Sequence, residues 1–307
     1  MDPYTVMNRR MAFRLDASQP VPVAVREVAD QQLRKAIAGL SGEAGLGVDE
    51  AAHDTRKRCK KLRALLRLVR PDLGRSAYRK ENATLRDAAR RLSGVRDAAV
   101  LMGTLDRIVE QAGEEVSSDS VAGLRAVVAK EHRDRHAELT DGDAAADAVA
   151  ELDRVAARVS RWPLHDRGWD SLGGGIKAVF KRGRKEMAAA YREGTTERFH
   201  EWRKQVKYLR YQLGLLREAW PGVLDAMEAT AEQLGDLLGE DHDLAVLRER
   251  VLAEPVTGDA TEQTLLRLID RRRQELQDRA RPLGERLYAD KPSDFADRLG
   301  RLWKVAA

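Results

Sequence analysis

A single cysteine, Cys59, occurs in 307 residues. That excludes an intrachain disulfide and any cysteine-based metal site, and it suits a reducing compartment. No run of eighteen apolar residues is present, so the sequence offers no membrane-spanning helix. The opening stretch MDPYTVMNRRMAFRLD lacks an apolar core of signal-peptide length, and a soluble, cytoplasmic protein is the expectation. Aromatic residues make up only 5% of the chain, which is little material for a base-stacking platform. A Walker loop, a dinucleotide fingerprint and a nucleophile elbow are all missing. Alternating β-branched residues, the mark of a half-buried strand, are missing too.

What is there is helical. Apolar residues recur at helix spacing along nearly the whole chain, and the charged share of 34% suits long exposed helix faces. Helices are expected to start near Val23, Asp49, Ala77, Asp97, Val121 and Asp143, then near Ile176, Thr196, Leu224, Asp243, Thr261 and Phe295. Arg70-Pro71 and Trp220-Pro221 should each stop a basic helix, because proline lacks the amide and restricts the residue before it. Gly194 can supply a left-handed helix end, and Thr195 or Thr196 the next N-cap.

The chain also repeats itself. Arg56, Lys57, Lys60, Leu62 and Arg63 align with Arg203, Lys204, Lys207, Leu209 and Arg210, 147 residues on. LSGVRDAAVL, from Leu92 to Leu101, aligns with LGEDHDLAVL, from Leu238 to Leu247, at an offset of 146. The reading is an all-α fold of two similar helical halves, residues 1–160 and 161–307, joined through Arg161–Gly175.

Net charge is only +5, so the placing of the cations matters more than their sum. HDTRKRCKKLRALLRLVRP, His53 to Pro71, holds eight Lys or Arg residues and one acid, Asp54. At about 100° per residue, His53, Arg56, Lys57 and Lys60 share one helix face, with Leu62, Leu65, Leu66 and Val69 opposite. His200, Arg203, Lys204 and Lys207 have the same geometry, backed by Trp202, Leu209 and Leu213. In GIKAVFKRGRKEM, Lys177, Lys181, Arg184 and Lys185 form a third row, whereas the first half keeps only Arg26 and Arg34 there, with Asp30 between them. Like charges three or four residues apart repel by a few tenths of a kcal/mol per pair. A helix needing only solubility would interleave glutamate. The pattern points instead to an anionic partner that relieves the repulsion through charge-assisted bonds. Among so many cations, His53 and His200 should be mainly neutral before an anion binds.

The same histidines also carry metal-ligand spacing. Glu50-Ala-Ala-His53 and Glu197-Arg-Phe-His200 are both Glu-x-x-His, the spacing of a di-metal carboxylate bundle. Arg56, Lys57 and Lys60 would then sit beside a dication with no anion to balance them, so no metal is expected. His132 and His136 have metal-compatible spacing but no clear third ligand. Cys59 reads as a plain thiol, and Asp97 and Asp243 as caps or as partners of a neighbouring arginine. No catalytic residue and no cofactor are assigned.

Two halves, each with His-x-x-Arg-Lys/Arg-x-x-Lys followed by Leu-x-x-x-(Arg/His)-Asp-x-x-Val-Leu, resemble the conserved histidine α-helical domain (CHAD) family over about residues 20 to 305. The resemblance implies two four-helix bundles related by pseudo-twofold symmetry. It implies a basic surface that binds inorganic polyphosphate, and location at polyphosphate granules. The residues it marks are His53, Arg56, Lys57 and Lys60, with His200, Arg203, Lys204 and Lys207, and Lys177, Lys181, Arg184 and Lys185 on the preceding helix. Arg63 and Arg210 extend the two rows. The Glu-x-Glu triphosphatase domain fused to many members has no counterpart here, so a stand-alone, non-enzymatic binder of polyphosphate or other polyanions is expected. Binding to a nucleic-acid backbone is the alternative.

Overall fold

A computed structural model describes residues 13–117, 119–140, 142–253 and 259–307. The first twelve residues of the stretch read for a signal peptide lie outside them. All regular structure among the described residues is helical. The first half contributes α1 (Val21–Leu40), α2 (Val48–Leu68), the single turn α3 (Arg70–Leu73), α4 (Arg75–Arg91), α5 (Gly94–Ala112), α6 (Ala122–Thr140) and α7 (Ala144–Val159). The second contributes α8 (Gly173–Glu193), α9 (Thr196–Leu215), α10 (Pro221–Ala253), α11 (Asp259–Leu287) and α12 (Pro292–Ala306). Among the described residues no helix is long and apolar enough to cross a membrane.

Packing follows the apolar stripes. α1 packs on α2, α2 on α4, α4 on α7, and α7 returns to α1. In the second half α8, α9, α10 and α11 pack in succession, α12 covers α8, and the α5–α6 pair leans on α10 through α5. Leu62, Leu65 and Leu66 of α2 are fully buried, as are Trp202, Leu209 and Leu213 of α9. Their polar faces are thereby turned away from the core. α2 and α9 meet directly, where Gln212 donates to the Ala64 carbonyl at 3.1 Å. The incoming chain closes this junction, with Leu15 N–H bonded to Leu215 O at 2.8 Å. α8 crosses α2 at Gly175, where a Cβ would lie 1.8 Å from the Leu68 carbonyl oxygen. Only glycine permits that approach.

Local signals largely act as the residues dictate. Gly194 ends α8 in the left-handed conformation, at φ 67°, and the Thr195 hydroxyl accepts from Arg198 N–H at the start of α9. The prolines act differently from expectation. α2 ends at Leu68 and α9 at Leu215, ahead of both, and the prolines fall at the start of the following helices, Pro71 second in α3 and Pro221 first in α10. Proline at a first helical position gives up an amide that has no partner anyway. No helix starts near Asp243, because α10 runs unbroken from Pro221 to Ala253. Its first-half equivalent is interrupted at Leu92-Ser93, between α4 and α5. The Arg56 guanidinium occupies that break, donating to Ser93 O at 2.7 Å and Leu92 O at 3.4 Å. In α10 the matching Gly239 lies within the unbroken helix, where a Cβ would make ordinary contact with Arg203 Nη2, at 3.4 Å.

Candidate functional site

The cation faces of α2 and α9 converge on one cleft of about 590 Å³. α2 supplies Arg56, Lys60 and Arg63, and α9 supplies His200, Arg203, Lys204 and Lys207. Arg86 of α4 closes one side, and His242, Asp243 and Val246 of α10 another. Asp97, Val100 and Leu101 of α5 complete the lining together with Tyr208 and Tyr211. Seven guanidinium or ammonium groups thus face two carboxylates. Such an excess of one sign in a concave site focuses the field on an incoming anion.

Several of these cations are held at a fixed angle. Arg56, besides its two carbonyl partners, meets Asp97 at 3.3 Å. Lys204 is tied to Glu201 of its own helix, and Arg86 pairs with its neighbour Asp87 at 3.0 Å. Asp97 therefore orients an arginine, the role read for it from sequence. His200 and His242 approach Nδ1 to Nδ1 at 3.2 Å, with ring centroids 4.3 Å apart. Burial, then Lys204 and Arg203, hold the His200 imidazole below its usual range. Burial, then Arg203 and His200, push His242 down to about 4. Both rings are consequently neutral at pH 7, as expected for His200.

Not every marked residue lines the cleft. His53 and Lys57 sit one to two turns before Lys60 on α2 and do not reach it. The Arg210 guanidinium turns to Glu232 on α10. Lys177, Lys181, Arg184 and Lys185 of α8 all lie exposed outside it, with Arg184 donating to Asp290 O at 3.2 Å. Sequence reasoning did not single out Arg86 or His242. His242 stood within the matched Leu-x-x-x-(Arg/His)-Asp segment, which was signal enough to find it. Arg86 lies among other arginines of α4 and carried no distinguishing mark.

Among the described residues, no group of three or more His, Cys, Asp or Glu side chains is placed to hold a metal ion. Glu50 and Glu197, the glutamates of the two Glu-x-x-His motifs, are exposed. Cys59 is fully buried, and burial raises its thiol to about 12, which keeps it out of thiolate chemistry.

Comparison with known proteins adds a family and a fold. The CHAD domain matches residues 27–252 of the chain. The solved structure of PptA from Streptomyces chartreusis superposes with a TM-score of 0.67 at 17% sequence identity, covering 89% of this chain and 100% of that one. No curated protein matches the sequence.

Proposed function

The chain belongs to the CHAD domain family, and from that membership and the cleft we propose that it is a non-catalytic binder of inorganic polyphosphate. One observation carries the reading: α2 and α9, matched in sequence across the repeat, turn their cation rows into the same cleft. Polyphosphate carries about one charge per unit and no bases. It needs cations at close, repeated spacing and nothing to stack on. Residues three or four apart on a helix rise roughly 4.5–6 Å, so rows from two helices can follow a flexible anionic chain. His53 and Lys57 on α2, and Lys177, Lys181, Arg184 and Lys185 on α8, would extend the path beyond the cleft. Arg210 would join only on release from Glu232.

In this reading residues 1–160 and 161–307 are two four-helix bundles related by a pseudo-twofold axis, with the ligand at their junction. The protein would reside in the cytoplasm, at polyphosphate granules. Binding to a nucleic-acid backbone is the second reading, favoured by the two tyrosines of the cleft. Tyr208, however, is 8% exposed, and the Arg67 guanidinium lies 3.8 Å from its ring centroid. That leaves little open ring for a base.

Competition separates the two. Polyphosphate is titrated against single-stranded DNA or RNA of equal charge, with phosphate release followed in parallel. The proposal requires polyphosphate to win and no phosphate to appear. Preference for nucleic acid, or steady phosphate release, would overturn it.

A further inference from the structure

The repeat that matches α2 with α9 also matches α4 with the first part of α10. At the offset of 146, Arg75 at the start of α4 falls on Pro221 at the start of α10. Asn82 then falls on Glu228 and Arg86 on Glu232. At the offset of 147, Arg63 falls on Arg210 and Arg67 on Gly214.

The two halves treat these positions oppositely. In the second half, Arg210 is bonded to the Glu232 carboxylate. Glu228 occupies the space over Gly214, where a Cβ would lie 3.1 Å from its Oε2. In the first half both carboxylates are gone. Asn82 Oδ1 accepts from Arg63 Nε at 3.1 Å and from Arg67 Nη1 at 3.0 Å. Two N–H donors aimed at one atom require the amide oxygen there, not its NH₂. Arg67 also donates to Arg63 O at 2.9 Å and lies over Tyr208, 3.8 Å from its ring centroid. Among the described residues neither Arg63 nor Arg67 pairs with a carboxylate. A neutral acceptor fixes two guanidinium groups without cancelling their charge.

We propose that Asn82 is a positioning residue that aims Arg63 and Arg67 at the bound anion, so that the anion path leaves the cleft over the first half only. Arg67 then becomes an anion ligand, although it lies one turn beyond the cleft. It continues the stripe Arg56, Lys60, Arg63, which recurs at helical spacing on α2. Burial, and the charges of Arg63 and Arg182, disfavour the Arg67 cation, a cost that a phosphate at this point would relieve. The inference rests on the polyphosphate reading of the cleft.

The test is Asn82→Asp, which keeps shape and acceptor but adds the charge found in the second half. Affinity for long-chain polyphosphate and its salt dependence are measured on wild type and on variants shown folded by circular dichroism. Asn82→Asp should lower affinity roughly tenfold, the weight of one charge-assisted bond. The log–log salt slope should become shallower by about 0.7 to 1.4, one or two ionic contacts. Asn82→Ala, which frees both arginines yet keeps their charge, should lower affinity by only about threefold with the wild-type slope. Folded Asn82→Asp with wild-type affinity and slope would overturn the role of Asn82 while leaving the polyphosphate reading intact. Failure of wild type itself to bind polyphosphate would overturn both.

Discussion

His200 and His242 share one hydrogen bond, Nδ1 to Nδ1 at 3.2 Å, at the centre of the cation cleft. Such a bond requires that one Nδ1 carry the hydrogen and that the other, which accepts it, be unprotonated, so at most one of the two rings can be charged while the bond lasts. Protonating both replaces the bond by repulsion among Arg203, Lys204 and Lys207. A polyanion reverses that balance by supplying acceptors for the added protons.

The pH dependence of binding follows. Free imidazole titrates near pH 6.5. In the folded, unliganded protein burial and the cations hold His200 below that value and His242 at about 4. A bound phosphate row raises both, so affinity should increase as pH falls below about 6.5. Isothermal titration from pH 5 to 8 on wild type and on His200→Gln with His242→Gln reads this out. Identical profiles would assign the rings to packing alone.

The unliganded protein should respond in the opposite sense. The folded values lie below the unfolded one, so the stability contributed by these neutral rings is fully present above about pH 6.5. It is lost as pH falls towards the folded values, near 4 for His242. Thermal melts without ligand should show Tm falling over that window, and less so in His242→Gln. Equal slopes of Tm with pH in the two proteins would contradict the assignment.

Away from the cleft, the first half depends on a buried ion pair. Arg158 of α7 meets Glu81 of α4 through two bonds, at 2.7 and 2.8 Å, and the Glu81 side chain is only 3% exposed. Arg158→Ala leaves that carboxylate buried and unpaired, at a cost of about 3–5 kcal/mol. Urea unfolding should show a clearly lowered midpoint. An unchanged midpoint would mean that water reaches Glu81.

The cation rows were legible because two physical signals coincide: a 3.6-residue period, and its recurrence 147 residues later with the apolar face intact. The cap at Gly194-Thr195 was legible because it is local chemistry. The break in α10 expected near Asp243 was not there, since glycine marks a helix end and a close approach alike. Gly239 lies inside the continuous α10 and marks no helix end. Arg86 and the partnership of His200 with His242 escaped the sequence because they depend on how α4 packs against α2 and α10 against α9. The divergence of Asn82 from Glu228 was written in the sequence, but it gains meaning only once Arg63, Arg67 and Arg210 have found their partners.

Ionic strength gives a count of contacts. Each neutralised phosphate of a single strand contributes a slope near −0.7, borrowed here for polyphosphate. With the seven cations of the cleft, log affinity should fall against log salt with a slope of about −4 to −5. A slope shallower than about −2 would indicate too few contacts for the cleft to be the site.

The most direct measurement is charge reversal at the junction of the two rows, Arg203→Glu with Lys207→Glu. Both side chains line the cleft, while the buried face of α9, carried by Trp202, Val206, Leu209 and Leu213, is untouched. Circular dichroism establishes that the double variant is folded, and fluorescence anisotropy with labelled polyphosphate measures its binding. The account predicts loss of binding, by at least about a hundredfold, from two contacts removed and two repulsions added. A folded double variant with wild-type affinity would contradict it and place the anion elsewhere on the protein.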